Sequence, residues 1–237
     1  MAGLMVNVDM IARLRQMRGT AYPDVLEAVR VVEDAGASGI VAHLRGDRRH
    51  IQDDDLSAIR ARATTLLNAE LAATEEMMAI AERVQPDMVT IVPEEADEVT
   101  TQGGLVLLRE ADGVATAAGR LSRAGIGVSL FVAPDIDVIG RAAEMGVDAV
   151  EIYTGAYATA AEGPAGEREL GKVLAAGRAA ADAGLFLRAG HGLDTDNVAP
   201  IRGAGIFQEY SIGHSIMLRA MFVGLRAAVA EMIAAIG

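Results

Sequence analysis

Short apolar runs recur along the chain, separated by stretches whose apolar residues fall at helical spacing. The first run, Leu4 to Val8, reads as a strand, and Asp9 opens a polar arm carrying Arg13, Arg15 and Arg18. Pro23 and Asp24 then introduce a helix to about Asp34, with Val25, Val29 and Val32 on its apolar face. Gly39 to Leu44 is a second strand, followed by a charged loop and a helix from about Asp53 to Arg62 with an aspartate-rich first turn, as the helix dipole favours. The same alternation predicts strands at Thr65 to Leu71, Met88 to Val92, Gly127 to Val132, Asp148 to Tyr153, Leu185 to Ala189 and Glu209 to Ile212. The intervening helices run from Thr74 to Val84, Asp112 to Ala124, Asp135 to Met145 and Pro164 to Ala183, and a last one from Ser215 to about Ile236. Between Glu94 and Leu108 the pattern is irregular, which marks an extended loop after the fourth strand.

Four helix-to-strand joints repeat one another, each with a glycine where a helix commonly ends in a left-handed residue: Gly36, Gly125, Gly146 and Gly184. Eight strand–helix alternations in a chain of 237 residues predict an α/β fold, a (β/α)8 barrel forming a single domain over residues 1–237. The competing arrangement, an open doubly wound sheet, calls for a glycine-rich turn after the first strand, and Asn7-Val8-Asp9-Met10 is not one.

Composition narrows the function. With 33 acidic against 21 basic residues, the net charge of −12 argues against nucleic acid or an anionic membrane as partner. Any phosphate must then be held by local donors. The absence of cysteine excludes disulfides, thiol nucleophiles and thiolate metal sites. No leader-like start and no membrane-length apolar run is present, so a soluble cytoplasmic protein is expected. Lys172 is the single lysine and lies in an expected surface helix, which argues against Schiff-base chemistry.

In a barrel the active site forms at the carboxyl ends of the strands. There the sequence places Asn7 and Asp9, His43 and Arg45, Glu70, Glu151, His191 and His214. All four histidines, His50 included, fall at or just beyond a strand end. The stretch Ile40 to His50 passes from an apolar run into two histidines and three arginines, which suits a phosphorylated substrate undergoing proton transfer; a surface turn with ordinary salt bridges is the alternative. The loops Gly190-His191-Gly192 and Gly213-His214 follow the last two strands, where barrels often bind phosphate through backbone amides. Glu70 on an apolar strand is either a desolvated acid/base or a partner for an arginine such as Arg45. A metal on His43, His191 and Glu70 is a minor reading, because no His-x-His pair supports it, and no cofactor is expected.

Several motifs together closely resemble the pyridoxine 5′-phosphate synthase family: Asn7-Val8-Asp9, Arg18-Gly19-Thr20, His43-Leu44-Arg45, Asp47-Arg48-Arg49-His50, Asn68-Ala69-Glu70, Thr74-Glu75-Glu76, Val92-Pro93-Glu94, Val99-Thr100-Thr101, Gly190-His191-Gly192 and Gly213-His214. They preserve order and spacing over nearly the whole chain. The resemblance implies condensation of 3-amino-2-oxopropyl phosphate with 1-deoxy-D-xylulose 5-phosphate, giving pyridoxine 5′-phosphate, phosphate and water without a redox cofactor. It implies His43 and Glu70 as proton acceptors, His191 as proton donor and Glu151 as a transition-state stabiliser. It assigns Asn7, Arg18, Gly192, Gly213 and His214 to the aminoketone phosphate and product, and Asp9, Arg45, His50 and Thr100 to the deoxyxylulose phosphate. It also implies a homo-octamer built from dimers. The chain departs from the family pattern at Met10, Gly46, Tyr153 and Arg188, where histidine, an acid, histidine and asparagine are usual, and in the run Asp194-Thr195-Asp196. These changes are read as altering substrate-facing positions. They leave two alternatives: a paralogous ring-forming synthase with another amine or ketone phosphate, and a non-catalytic phosphate-ligand binder.

Overall fold

The computed structural model describes residues 2–94, 103–105, 107, 111–160 and 163–237. Eight strands form it: β1 (Gly3–Asn7), β2 (Gly39–His43), β3 (Leu66–Leu71), β4 (Met88–Ile91), β5 (Gly127–Val132), β6 (Ala149–Tyr153), β7 (Phe186–Gly190) and β8 (Glu209–Ile212). All neighbours are parallel, and β8 pairs with β1 through Gly3 with Glu209 and Leu4 with Tyr210, so the sheet closes into a barrel. Around it stand α1 (Asp9–Arg18), α2 (Val25–Asp34), α3 (Asp53–Arg62), α4 (Glu75–Val84), α5 (Ala111–Arg123), α6 (Ile136–Glu144), α7 (Gly155–Thr159), α8 (Pro164–Asp182), α9 (Ala199–Arg202), α10 (His214–Val223) and α11 (Leu225–Ile236). This is the expected (β/α)8 barrel, with the connection from β4 to α5 spanning 92–110.

The two-residue period of each strand divides the barrel into two interiors. On β3, Leu67, Ala69 and Leu71 join the apolar layer beneath the helices, while Asn68 and Glu70 take the opposite face. The same alternation puts His43, Thr90, Ser129, Glu151, Arg188, Glu209 and Ser211 inside the barrel, all buried. Polar bonds across the interior confirm the facing: Thr90 Oγ1 donates to Asn68 Oδ1 at 2.9 Å, and Ser211 Oγ to Glu151 Oε2 at 2.8 Å. A barrel with an apolar outer layer and a polar inner one has room for chemistry at its mouth.

The joint glycines hold the expected left-handed backbone, with φ of 98° at Gly36, 77° at Gly125, 69° at Gly146 and 77° at Gly184. At the opposite rim from the mouth a second device repeats. The residue just before β4, Asp87, accepts the amide of Leu67 on β3; Asp148, before β6, accepts that of Val128 on β5; and Gln208, before β8, accepts that of Leu187 on β7, each at 2.8 Å. Each side chain satisfies a strand-end donor that the ladder leaves unpaired.

Three expectations are corrected. The polar arm after β1 is a helix, α1, whose only fully buried residue is Ala12; its arginines hid the helical period. The single C-terminal helix is two, α10 and α11, broken at Gly224 with φ 83°. The short helices α7 and α9 were not anticipated, being too brief for a periodic signal. No helix among the described residues is long and apolar enough to cross a membrane.

Candidate active site

Residues on or just after β1, β2, β3, β4, β6, β7 and β8 meet in the barrel mouth. Asn7 closes β1 and its side chain organises Asp9: Asn7 Nδ2 donates to Asp9 Oδ2 at 2.8 Å and Asn7 Oδ1 accepts the Asp9 amide at 2.9 Å. Asp9 Oδ1 in turn accepts the backbone N–H of His43 at 2.9 Å, tying the ends of β1 and β2 together. His43 and Glu70 are register partners on β2 and β3, with His43 Nδ1 3.8 Å from Glu70 Oε2. His43 Nε2 is buried without a hydrogen-bond partner, and the His50 ring lies 5.7 Å from the His43 ring.

On the other side of the mouth, Glu151 of β6 receives the Ser211 hydroxyl on Oε2 and has no partner on buried Oε1. Gly190 leaves the space that oxygen occupies, since a Cβ there would lie 2.0 Å from it. His191 follows with φ 74°, a conformation that costs a non-glycine residue energy and is held by its surroundings. Thr154 provides the clamp: its hydroxyl is shared between the carbonyls of Gly190 and His191 at 2.7 and 2.6 Å. The His191 ring packs 4.6 Å from Phe131 and 5.8 Å from Tyr153.

Burial sets the protonation of this cluster. Desolvation leads in pushing Asp9 up to about 7, against the hydrogen bonds from His43 and Asn7. Desolvation likewise pushes Glu70 well above the carboxylate range, reinforced by the charges of Glu151 and Asp9, and Glu151 up to about 7. It pulls His43 well down, with the neighbouring His50 and Arg45 adding to the effect, and brings His50 and His191 down to about 4. At neutral pH the pocket thus holds neutral imidazoles beside a Glu70 that keeps its proton, with Asp9 and Glu151 close to their midpoints. Groups so displaced in one cleft are the mark of acid/base sites.

Not every anticipated residue arrives there. The loop after β2 separates its cations: Arg45 is buried with Asp47 at 3.4 Å and Glu94 at 4.0 Å, whereas Arg48 is a structural brace. Arg48 Nε donates to Asp53 at 2.8 Å and Nη1 to the Arg45 carbonyl at 2.9 Å. Of the two readings of Glu70, the desolvated acid is the one its surroundings support. Gly192, with φ 76°, and Gly213 line the β7 and β8 loops, where added side chains would strike Ala158 and Asn7 respectively. His214 begins α10 and is exposed. Arg18 is exposed at the far end of α1, about 13 Å of helix from Asp9, and the chain itself does not bring it to the pocket. Thr100 lies outside the described residues.

Two of the supposed substrate-facing departures are placed elsewhere. Met10 packs against the hydrophobic core, and Arg188 points to the barrel floor, bonded to Glu209 at 2.6 Å. Tyr153 does stand beside His191, and Gly46 donates its amide to Glu94 Oε1 at 2.9 Å. Glu94 was not among the anticipated site residues, yet its Oε2 lies 3.9 Å from His43 Nε2. Its position after Pro93, at the end of β4, was the available signal. Ser211, two residues from Glu209 on the same strand face, could have been found by strand parity. A metal would find its ligands differently from the expected set: among the described residues Asp9, His43 and His50 offer ligand atoms within 4.8 Å of one another.

Residues 4–237 match the family model described as pyridoxal phosphate biosynthesis protein PdxJ. The chain belongs to the PdxJ family. It is 50% identical over 230 residues to pyridoxine 5′-phosphate synthase of Thioalkalivibrio sulfidiphilus (strain HL-EbGR7), covering 97% of this chain and 94% of that one. It is 48% identical over 233 residues to the enzyme of the same name from Chlorobium chlorochromatii (strain CaD3), covering 98% and 99%. Among solved structures, 3-hexulose-6-phosphate synthase is similar in fold at TM-score 0.64 and 20% identity, with all of both chains covered. Thiamine phosphate pyrophosphorylase from Pyrococcus furiosus follows at 0.59 and 15%, covering 99% of this chain and 95% of that one. These two extend the fold comparison alone, whereas the PdxJ match extends to every strand end that builds the mouth.

Proposed function

We propose that this PdxJ family member is a pyridoxine 5′-phosphate synthase, joining 3-amino-2-oxopropyl phosphate to 1-deoxy-D-xylulose 5-phosphate with release of phosphate and water. The observation that carries the reading is the pocket itself: His43, Glu70, Glu151 and His191 stand around one buried space with their proton affinities displaced toward neutral forms. Imine formation, dehydration, phosphate loss and ring closure are serial proton transfers, and each needs a group able to give or take a proton without water.

His43, neutral with a free and buried Nε2, is the resting base. Glu70, protonated at rest, supplies its proton to a departing oxygen and then accepts one, so its role as acceptor follows its first donation. His191 is neutral in the empty pocket; a phosphate dianion bound beside it would favour its imidazolium, the form that donates. Glu151, steadied by Ser211, balances the cationic character of the imine. The first-turn amides of α10 have no side-chain cap and, with Gly192 and Gly213, suit the aminoketone phosphate. Arg45, His50 and Asp9 suit the deoxyxylulose phosphate. Thr100 and Arg18 are assigned by resemblance to the family.

The assembly belongs to the same reading. Met17, Tyr22, Met221 and Phe222 are exposed, the last at 84%, and α1 packs against α10, so much of this apolar surface is shared by adjoining helices. We assign it to contact with another copy of the chain, as in a homo-octamer built from dimers, in the cytoplasm. Incubating the protein with both phosphates and following pyridoxine 5′-phosphate and released phosphate together tests the reaction. Equal formation of both, lost in Glu70→Gln, is expected; tight binding without product would overturn it.

A further inference from the structure

Beneath the mouth lies a buried cation that the proposed reaction does not use. Arg188 is 3% exposed and sits inside the barrel on β7, where its register partners are Glu151 on β6 and Glu209 on β8. The three form one row around the wall, with adjacent backbones about 5 Å apart. The arginine turns away from the mouth: its Nε donates to Glu209 Oε2 at 2.6 Å, its Nη1 reaches Met88 Sδ across the barrel, and its guanidinium lies 5.2 Å from the Phe186 ring centroid. Glu151 turns toward the mouth, over Gly190. One buried charge pair therefore underlies one buried carboxyl.

We infer that Arg188, anchored by Glu209, is a positioning residue for Glu151, and that the floor pair sets how firmly Glu151 holds its proton while leaving its Oε1 open at the mouth. The inference rests on Glu151 belonging to the active site. The groups facing Glu151 are few. Ser211 of β8 donates to Oε2, Glu209 of β8 opposes it with like charge from the floor, and Glu70 of β3, which holds its proton more tightly because of the Glu151 charge, stands as a neutral acid. Phe131 on β5 is its apolar register partner. Arg188 is the cation among them: it opposes the desolvation that raises Glu151, while Glu209 offsets part of that help. In an interior shielded from water such charges act at long range. Because the pair is fixed by its own bond and by the Phe186 ring, the field it exerts is constant as substrates come and go.

The charge on the floor can be varied without touching the mouth. In the full-length protein, the protonated-carboxyl infrared band that disappears in Glu151→Gln reports the titration of Glu151 directly. Glu209→Gln frees the guanidinium, so the midpoint of that band should fall below the wild-type value. Arg188→Met/Glu209→Gln makes the floor neutral and should move the midpoint up again, to a proton affinity about tenfold above that of Glu209→Gln, or one pH unit. Arg188→Lys should keep it near wild type. If Glu209→Gln does not fold, the double variant compared with wild type and Arg188→Lys makes the same test, again with an upward shift. Equal midpoints in folded variants would overturn the inference. The matching limb of the kcat/KM profile should move with the band. A band that moves while that limb stays fixed supports the inference about Arg188 and refutes the catalytic use of Glu151.

Discussion

Glu70 is held where a carboxylate is least comfortable, and two opposite consequences follow. Its folded-state proton affinity is raised above the unfolded one, so its contribution to stability is present at acid pH and lost as pH rises past the ordinary carboxylate range. Glu70→Gln should therefore raise the melting temperature at pH 8 more than at pH 5 while lowering kcat by about 100-fold or more; unchanged kcat would remove Glu70 from the chemistry. His191 gives a complementary case. Asparagine tolerates a positive φ, so His191→Asn should keep the backbone turn and the melting temperature within a few degrees, yet lose at least about tenfold in kcat. Equal activity would show that the ring serves packing against Phe131 alone. At this scale the sequence was informative about which residues would meet, since strand ends collect side chains in any barrel. It was silent on direction: nothing in Leu187-Arg188-Ala189 distinguishes an arginine aimed at substrate from one aimed at the floor, because both lie on the same strand face.

The strands were legible because each combines a two-residue period with glycine punctuation, and no boundary moved by more than one residue. Helices were legible only where burial imposed its own spacing, as Val25, Val29 and Val32 do on α2. The arginine-rich α1, with little to bury, hid the period. The rim caps are an element-scale feature that no local pattern announces, since each partner lies about twenty residues away. Asp148→Ala removes the acceptor for the Val128 amide and should cost about 1–2 kcal/mol by urea unfolding, with kcat unaltered because β5 and β6 meet there at the end remote from the mouth. A loss of activity without loss of stability would mean that the rim communicates with the pocket.

Across the whole molecule, the buried acids and imidazoles pull the stability curve in opposite directions. Asp9 and Glu151 keep protons up to about 7 in the folded chain, so they lose stability as pH rises from about 4 toward 7. His50 and His191, brought down to about 4, do the reverse: their contribution is full above their unfolded value near 6.5 and is lost as pH falls toward 4. The stability of Glu151→Gln relative to wild type should accordingly grow between pH 4.5 and 8, read by urea unfolding at each pH; a flat difference would contradict the burial of the acid. The apolar face on α1 and α10 makes a separate prediction. Met221→Glu with Phe222→Glu should yield a smaller species by light scattering, whereas an unchanged mass would place the subunit contact elsewhere.

The rim caps also say where this barrel could be divided. Asp87 serves Leu67 within β3 and β4; Asp148 serves Val128 within β5 and β6; Gln208 serves Leu187 within β7 and β8. A chain severed in the connection 92–110 would leave every one of these bonds inside a single fragment, β1 to β4 or β5 to β8, while a cut between β5 and β6 would separate donor from acceptor. Two half-barrels made as separate polypeptides would thus each keep their own side-chain caps, and reassembly would have to rebuild the backbone bonds of the two seams, from Gly127 N–H to the Asp87 carbonyl and from Gly3 N–H to the Gln208 carbonyl.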